Sequence, residues 1–499
     1  MTINLIANFV GKGWVAITYL VLVPVYVRLL GIEAYGLIGI SSVLQSLVAI
    51  LDMGLSTTIN RELARHSIGA GREQEMRDLV RTLEVVYWAV ACLIGALIWQ
   101  FSGVIAHRWV NAQTLPEATI HSAVLLMGLS AAAGWPITLY TGGLMGLQRQ
   151  VLFNAVNVPL STVRSVGAAL VALVSPQPVL AFFGWQLLMS VISVAVIAFA
   201  LWRSLPAAST RACFRPAILR SVWRFAAGTS AVSLAILLFT HLDKIILSRM
   251  LPLTSFGYYT LAWQIAGSLY LLYNPIYTVL FPVFSQKAAG GDDAGLRQTY
   301  HWGCQLASVV MLPPTVVIAL FSYDVLLVWT RDAVTASNTS RLVTLLMIGA
   351  CLSALLYLPY ALQLAFGQTR YILYTLLVAL LVLLPTIVVL TVRYGAVGAA
   401  GVWTAVNLVQ VAVAMHFTDR RFIPGERKRW FLVDVGRPML AVLGVAGAAK
   451  WLGSTPMSVP LRTGFLLAVL VLSLAAAAVA TPATLAMLKR FLPRSSTVT

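Results

Sequence analysis

Arg28-Leu29-Leu30-Gly31-Ile32-Glu33-Ala34-Tyr35-Gly36 has a counterpart 221 positions later, Arg249-Met250-Leu251-Pro252-Leu253-Thr254-Ser255-Phe256-Gly257. A second pair of stretches, Gly146-Leu147-Gln148-Arg149 and Gly367-Gln368-Thr369-Arg370, has the same offset. Two matches at one offset predict a duplicated bundle of helices. Membrane transporters are commonly built from such repeats, with the substrate path between the two halves.

The composition predicts that these helices span a membrane. Of the 499 residues, 60% are hydrophobic and 10% are charged, and the mean hydropathy is +0.87. A membrane-spanning helix needs about 20 apolar residues, and the continuous runs rich in Leu, Ala and Val favour helices over the short alternating strands of a β-barrel. We predict an all-α polytopic membrane protein with about fourteen transmembrane helices. Their ranges are 5–30, 34–58, 79–104, 118–145, 151–174, 178–201, 222–250, 255–282, 301–330, 338–366, 371–393, 396–418, 432–453 and 461–483.

The repeat and the charged loops divide the chain. We predict two six-helix bundles around a central cleft, followed by two extra transmembrane helices. The parts are 1–201 for the N-terminal bundle, 202–221 for a basic cytoplasmic linker, 222–418 for the C-terminal bundle, 419–431 for a basic cytoplasmic loop, and 432–499 for the two extra helices and a cytoplasmic tail.

The net charge of +18 has a topological explanation. If the N-terminus is cytoplasmic, most of the 34 Lys and Arg residues fall in the inward loops and the C-terminal tail. The positive-inside rule therefore predicts a multi-pass membrane protein with both termini in the cytoplasm. Nucleic-acid binding is disfavoured, because the charge is spread over many loops rather than gathered in one patch. We also predict no cleavable signal peptide.

No enzymatic constellation is evident in the sequence. The six histidines are dispersed without an HExxH motif, and there is no Walker A motif. The four cysteines form no CxxC pair. We therefore predict that the protein is not an enzyme and has no cofactor, no metal site and no disulfide.

Charged residues inside the predicted spans are the strongest functional signal, because a charge at bilayer depth is costly unless it faces a cavity or a partner. Arg164 lies near the middle of the fifth span, and Asn154, Asn157 and Ser161 share its helix face. This stripe predicts a substrate contact in a solvated cavity. The alternative is a structural hydrogen bond from Arg164 to backbone carbonyls of a broken helix.

Four other intramembrane charges are candidates. Lys12 lies near the cytoplasmic end of the first span, where it could contact substrate or extend to the interface. Asp52 and Asp243 are the acids that ion coupling could use. Lys244 follows Asp243 directly, and because adjacent helical residues point about 100° apart, these two need not pair with each other. Structural ion pairs with other helices are the alternative for Asp243 and Lys244.

The eighth span has an aromatic face. Trp263, Tyr270, Asn274 and Tyr277 follow helical spacing. Aromatic rings with an amide between them suit sugars, which present apolar C–H faces and hydroxyl rims. Packing between helices is the alternative for these residues.

Two patches of the chain resemble a known family. The first consists of Pro24, the Arg28–Gly36 stretch and Asp52-Met53-Gly54-Leu55. The second consists of Asp243-Lys244-Ile245-Ile246-Leu247 and Phe256-Gly257-Tyr258-Tyr259. Both are similar to bacterial polysaccharide flippases of the O-antigen and exopolysaccharide type, which belong to the multidrug/oligosaccharidyl-lipid/polysaccharide exporter superfamily. The two extra C-terminal helices also fit that group.

The resemblance implies a task and a set of partners. Such a protein moves undecaprenyl-pyrophosphate-linked oligosaccharide from the inner to the outer leaflet, within the lipid bilayer and alongside polysaccharide polymerase or assembly proteins. Arg164 would then contact the anionic headgroup or the sugars, with Lys12 and Lys244 as supporting charges. Ion-coupled alternating access is our hypothesis for the energy source.

Three other functions stay open at this stage. A lipid II flippase would share the fourteen-helix architecture and a cationic cavity. A multidrug antiporter of the same fold would favour acidic residues in the cavity, whereas the midplane residue here is Arg164. A membrane glycosyltransferase or polymerase would use catalytic residues on a large outward loop, and the sequence shows no such loop.

Overall fold

The computed structural model describes residues 2–67, 72–208, 210–219, 238–453 and 458–482, with side chains from Val10 onward. All regular elements in these ranges are helices. They form two compact units, Met1–Gly257 and Tyr258–Thr499. The linker predicted at 202–221 and the bundle boundaries around it stay predictions, because residues 209 and 220–237 lie outside the described ranges.

The helices of the first unit follow in chain order. They are α1 (Thr2–Leu30), α2 (Ile32–Ile50), α3 (Leu55–His66), α4 (Glu73–Arg108), α5 (Glu117–Gly134), α6 (Ile137–Gly146), α7 (Gln150–Val174) and α8 (Pro178–Ser204), followed by the described part of α9 (238–250) and by α10 (Leu253–Ser268), which crosses into the second unit.

The second unit continues with α11 (Tyr270–Ala289), α12 (Asp293–Leu320), α13 (Ser322–Thr330), α14 (Ala333–Leu355), α15 (Tyr357–Ala365) and α16 (Thr369–Arg421). A short α17 (Arg427–Arg429) and a π-helix (Trp430–Gly436) lead into α18 (Arg437–Leu452), and α19 (Val459–Ala480) is the last described helix.

Eleven described helices, counting segments that continue across a short break as one, are long and apolar enough to cross a membrane. The predicted number of fourteen stays a prediction. Part of the difference has a visible cause, since α16 runs for 53 residues with a non-helical residue at Gly395, where φ is 60° and ψ is −144°. At about 1.5 Å per residue it is long enough for the two spans predicted at 371–393 and 396–418.

The second predicted span, 34–58, is wrong as one continuous helix. Helix α2 ends at Ile50, and α3 begins at Leu55 after a four-residue turn. Met53 and Gly54 both have positive φ, 43° and 77°, a conformation that ends a right-handed helix. The turn takes Asp52 out of the regular helix.

Helix α1 of the first unit runs along α7. The Trp14 Nε1 donates to Thr162 Oγ1 at 2.9 Å, and the Tyr26 hydroxyl donates to the Ser165 carbonyl oxygen at 2.7 Å. Helix α7 also packs on α8, which in turn packs on α5. This arrangement places the Arg164 face of α7 next to polar residues of α8.

The two copies of the repeated stretch contact each other within Met1–Gly257. Gly36 of the first copy lies so close to the second that a Cβ atom would be 2.5 Å from the Leu253 carbonyl oxygen. Gly257 of the second copy approaches the Ile32 carbonyl oxygen in the same way. Each glycine meets the residue equivalent to the one its counterpart meets, as a two-fold relation between the copies requires.

The copies differ where their helices begin. Gly31, which precedes α2, has φ 82° and ψ 161°, a conformation open to glycine and closed to other residues. The equivalent residue before α10 is Pro252, whose ring fixes φ near −65°. The backbone therefore enters the two equivalent helices differently, which explains why the two copies have different residues at this position.

A carboxylate holds the chain that follows α8. The fully buried Asp78 of α4 accepts from the Cys213 backbone N–H at 2.8 Å and pairs with the Arg215 guanidinium at 2.6 Å. The Arg215 backbone N–H donates to Thr82 at 3.0 Å. Residues near the end of the predicted linker are thus fixed to the first unit at α4.

The second unit attaches its last two helices to α12. Val309 and Val316 of α12 share one apolar cluster with Val442 of α18 and Val469 of α19. The prediction of two helices after the repeat therefore corresponds to a helix pair that packs on the body of this unit.

Two carboxylates outside the spans cap helices of the second unit. Asp292 precedes α12, where the Lys287 ammonium and the Gly295 N–H hold the pKa of this exposed carboxyl below its usual value. Asp332 precedes α14, and hydrogen bonds from the Thr335 hydroxyl and backbone N–H lower its pKa as well. An ionised acid at a helix N-terminus also complements the helix dipole.

The Gly36 contact generates a stability prediction. Gly36→Ala should lower the thermal unfolding midpoint in detergent, with a cost of about 1–3 kcal/mol, because the new methyl group meets a backbone oxygen that cannot rotate away. Gly184→Ala on α8 is the control, since a Cβ there meets no atom within 4 Å. In a helix that change alone should be neutral or stabilising. Equal midpoints for the two variants would contradict the close packing of the copies.

Candidate functional site

Arg164 is the central cation of the candidate site. It is the fifteenth of 25 residues in α7 and is half-buried. Its Nη2 donates to Ser190 Oγ of α8 at 2.9 Å, and Ser190 Oγ lies 2.9 Å from Ser130 Oγ of α5. No ion pair joins Arg164 to a carboxylate among the described residues. The alternative of a bond to backbone carbonyls is therefore not what the structure shows, because the partner is a hydroxyl.

The other members of the Arg164 stripe have different surroundings. Asn154 is buried against Gly11 of α1, and its Nδ2 donates to the Gln150 carbonyl oxygen at 2.8 Å. Asn157 is half-buried, like Arg164. Lys12 is exposed on α1. Asn157 and Arg164 are therefore equally accessible on α7, whereas Asn154 is buried.

Asp52 is surrounded by hydroxyl donors. Its carboxylate accepts from Ser56 Oγ at 2.7 Å, from Thr138 Oγ1 at 3.3 Å and from the Tyr87 hydroxyl. Ser56 belongs to α3, whereas Tyr87 and Thr138 come from α4 and α6. The carboxylate therefore joins three helices through groups that can donate and accept protons.

A second acid of the first unit was missed by the sequence analysis. Glu84 lies on α4, is 8% exposed, and accepts from the Tyr140 hydroxyl at 2.8 Å and from Trp202 Nε1 at 3.2 Å. Its other oxygen pairs with Arg81 at 2.8 Å. The sequence signal was present, because Glu84 lies inside the predicted span 79–104, but its neighbours come from distant parts of the chain.

Asp243 and Lys244 pair with each other. The Lys244 Nζ lies 3.2 Å from Asp243 Oδ1 and donates to the Thr240 carbonyl oxygen at 2.9 Å. Both residues are buried. Helix geometry left this pairing open, and it forms because the lysine side chain is long enough to reach the adjacent carboxylate.

The predicted aromatic face is divided by a helix break. Helix α10 ends at Ser268 and α11 begins at Tyr270, so Trp263 does not share one helix with Tyr270 and Tyr277. Trp263 instead meets Trp403 of α16, with ring centroids 5.2 Å apart. Asn274 is exposed on α11. The expectation of one continuous stripe was therefore wrong.

Tyr270 and Tyr277 nevertheless meet at a tyrosine cluster in the second unit. Tyr357 of α15 stands 6.4 Å from Tyr270, 4.1 Å from Tyr273 and 6.0 Å from Tyr277, measured between ring centroids. Tyr270, Tyr277 and Tyr357 are partly exposed. Tyr273 and Tyr357 were not predicted, because Tyr273 lies off the stripe and Tyr357 belongs to another helix. The four rings offer apolar faces and hydroxyl groups at one place.

A buried charged cluster links α12 to the π-helix in the second unit. His301 is 1% exposed and Asp434 is fully buried; His301 Nδ1 bonds Asp434, and Gln305 Nε2 donates to Asp434 at 2.9 Å. The other ring nitrogen, Nε2, lies 3.1 Å from Glu426. This cluster was not predicted from the sequence, because its members come from distant parts of the chain and do not follow the spacing of a metal-binding histidine pair. No group of three or more metal-binding side chains was found in the described ranges.

The polar groups described above in each unit offer hydrogen bonding and charge. Arg164 and the hydroxyl pair suit an anion, because a guanidinium presents several donors in a fixed plane. The tyrosine cluster suits sugar rings. Helices of this length and apolarity, bearing such groups, define a polytopic helical membrane protein of transporter type.

Comparisons with known proteins give the family. The family described as polysaccharide biosynthesis protein matches residues 2–287. A Shigella flexneri protein to which O-antigen transport is provisionally ascribed is 21% identical over 382 residues, covering 76% of this chain and 88% of that protein. The chain belongs to the polysaccharide biosynthesis protein family, and the resemblance to polysaccharide flippases is confirmed.

Solved structures show the same fold at low identity. The lipid II flippase MurJ in an inward closed conformation has a TM-score of 0.73 and 13% identity, covering 99% of this chain and 100% of that one. An inward-facing multidrug resistance transporter of the MATE family in the MOP superfamily has a TM-score of 0.65 and 14% identity, covering 82% of this chain and 97% of its own. The predicted all-helical transporter class is confirmed.

The buried histidine cluster generates a second prediction. Asp434→Asn should destabilise the protein by about 3–5 kcal/mol, because it removes one member of a buried ionic cluster and leaves its partners uncompensated. Glu426→Gln should cost much less, since Glu426 is 19% exposed and water can replace its bonds. Thermal unfolding of the two purified variants checks the difference. A Glu426→Gln loss as large as that of Asp434→Asn would contradict this account of the cluster.

Proposed function

We propose that the protein is a flippase that moves undecaprenyl-pyrophosphate-linked oligosaccharide from the cytoplasmic to the periplasmic leaflet of the bacterial inner membrane, for cell-surface polysaccharide biosynthesis. Membership of the polysaccharide biosynthesis family supports a role in polysaccharide export. The O-antigen relative supports a lipid-linked sugar as the cargo. The transporter fold supports movement across the membrane rather than sugar-bond formation.

Arg164 is the observation that carries the proposal. A guanidinium in the middle of a membrane helix needs a compensating partner. Among the described residues, the Arg164 guanidinium donates to the hydroxyl of Ser190. The Ser190 hydroxyl, itself bonded to the Ser130 hydroxyl, holds the side chain in place without neutralising its charge. The positive charge is therefore available to the pyrophosphate of the carrier or to an acidic sugar.

Other groups have supporting roles in this proposal. Asn157 lies on the same face of α7 and supplies an amide, while Lys12 adds an exposed charge on the neighbouring helix α1. Tyr270 and Tyr277, with Tyr357, provide a surface on which sugar rings stack. Lys244 is a weaker candidate than the sequence suggested, because Asp243 neutralises it. Asn154 and Asn274 remain candidates by position alone.

Two acids, Asp52 and Asp243, are relevant to energy coupling. We propose that transport is coupled to an ion gradient by alternating access and that Asp52 is the coupling acid. It is partly exposed and accepts from three hydroxyl groups, which can relay a proton. Asp243 is fully buried and paired with Lys244, so it is less accessible to an ion from either side.

Two transporters of the same fold are alternatives. The lipid II flippase alternative rests on the fold similarity to MurJ, which covers 99% of this chain. The multidrug antiporter alternative rests on the MATE structure, which covers 82% and so leaves about a fifth of the chain unmatched. Full coverage, including the two C-terminal helices, favours a lipid-linked substrate. A polymerase function has no supporting observation, and association with polymerase or assembly proteins stays an expectation from the resemblance.

The orientation is part of the proposal. Both termini are placed in the cytoplasm by the distribution of Lys and Arg over the loops. Under this topology the linker segment held by Asp78 is cytoplasmic.

The third prediction concerns Arg164. In cells lacking this gene, lipid-linked oligosaccharide should build up on the inner leaflet, and wild type should reverse the build-up. Arg164→Gln should fail to do so, because its amide cannot attract an anion, whereas Arg164→Lys should restore part of the activity through its charge. Arg341→Gln, which changes an exposed arginine on α14, is the control. Full rescue by Arg164→Gln at equal expression would remove Arg164 from the substrate path.

The fourth prediction concerns Asp52. In proteoliposomes an imposed proton or sodium gradient should accelerate flipping by wild type. Asp52→Asn should flip at a rate that no longer responds to that gradient, because an amide does not titrate. Asp243→Asn is the comparison, and it should keep its gradient response if it folds, which its unfolding midpoint shows. A wild-type rate that ignores both gradients would end the ion-coupling proposal while leaving the flippase proposal intact.

A further inference from the structure

We propose that a pocket between the C-terminal end of α4 and the end of α9 binds the phosphate-bearing headgroup of an anionic lipid. The pocket has a volume of about 590 Å³. Its lining includes Arg108, Trp109 and Asn111 from the end of α4 and the loop after it, and Ile245, Arg249 and Met250 from α9. It lies within the first unit and shares no residue with the substrate site proposed above.

Two guanidinium groups give the pocket its charge. The Arg249 Nη1 donates to the Arg108 carbonyl oxygen, and its guanidinium lies 5.7 Å from the centre of the Trp109 ring. No carboxylate forms an ion pair with Arg108 or Arg249 in the part of the chain that the structure describes. Two adjacent arginines without an acid form a local positive charge that an anion neutralises, and phosphate accepts the paired donors of a guanidinium.

An acid at the edge of the pocket, Glu117, is already engaged. Glu117 pairs with Nδ1 of His107, another residue of the lining, at 2.9 Å. Both side chains are well exposed, 69% and 72%, so this pair sits at the rim in contact with solvent. The positive charge of the arginines is therefore not cancelled from within the pocket.

The backbone that carries these groups is fixed by a buried carboxylate. Glu33 of α2 accepts from the Gln113 N–H at 2.5 Å and from the Thr114 N–H at 3.0 Å. The Leu253 N–H donates to the Asn111 carbonyl oxygen at 2.7 Å. On α9, Ser248 Oγ accepts from Trp109 Nε1 at 3.0 Å. The pocket is thus held in shape before a ligand arrives, which lowers the entropic cost of binding.

The apolar part of the lining favours a lipid over a soluble anion. Ile245, Ile246, Met250 and Val110 line the pocket together with the arginines. The pocket lies where two apolar helices end and a loop begins, and Trp109 is of the residue type that concentrates at membrane interfaces. Basic pockets at helix ends bind lipid headgroups in this way. A phosphate linked to an acyl or prenyl chain satisfies both kinds of lining.

The test measures lipid binding to the purified full-length protein by native mass spectrometry in detergent. The probes are phosphatidylglycerol, undecaprenyl phosphate, the zwitterionic phosphatidylcholine and inorganic pyrophosphate. The variant Arg108→Gln with Arg249→Gln should weaken binding of the two anionic lipids on the order of 30-fold and leave phosphatidylcholine unchanged. The double lysine variant, Arg108→Lys with Arg249→Lys, should recover most of that affinity.

The controls separate binding from folding and from the flippase proposal. Arg341→Gln removes one exposed arginine that does not line the pocket and should bind as wild type does. The unfolding midpoint of each variant shows whether it is folded, and the comparison of the anionic lipids with phosphatidylcholine and pyrophosphate on wild type keeps the test decisive if the glutamine variant is not. Equal anionic-lipid affinity in wild type and the glutamine variant would overturn the proposal, as would pyrophosphate binding as tight as that of the lipids. No flipping is measured, so failure of the flippase proposal leaves this result unaffected.

Discussion

The structure depends on one constraint, that polar groups within an apolar bundle must find their partners inside the protein. The described acids of the helices obey it in different ways. Asp243 takes the neighbouring Lys244, Asp52 takes hydroxyl groups from three helices, and Asp434 takes a buried histidine. Arg164 obeys it too, but its partner Ser190 satisfies hydrogen bonding without cancelling the charge. That difference is the reason for proposing that Arg164 contacts an anionic substrate.

Much of the fold could be predicted from the sequence, since apolar length and loop charge report directly on membrane helices. The offset of the repeated stretch also anticipated a structural relation, seen in the reciprocal approach of Gly36 to Leu253 and of Gly257 to Ile32. Helix breaks were harder to predict from the sequence. The turn at Met53 and Gly54 depends on two residues of positive φ, and hydropathy averaged over a span does not register a local change of backbone conformation.

The candidate site was only partly predictable for a related reason. Residues on one helix face, such as Asn157 and Arg164, can be grouped by spacing alone. The cluster around Tyr357 and the bonds of Glu84 join helices that are distant in the chain. No local sequence pattern therefore predicts these contacts. The Asp243–Lys244 pair could not be decided from the sequence either, because helix geometry fixes where side chains start and not how far a flexible lysine bends.

The central claim is that the protein moves a lipid-linked oligosaccharide across the bilayer, and reconstitution tests it most directly. Purified protein is placed in liposomes that contain undecaprenyl-pyrophosphate-linked oligosaccharide, and an added enzyme cleaves the glycans that face outward. The account predicts that the cleaved fraction rises with time beyond half of the total when wild type is present, and stays constant in protein-free liposomes. A constant fraction in both, with transport of lipid II or of a cationic drug by the same preparation, would contradict it.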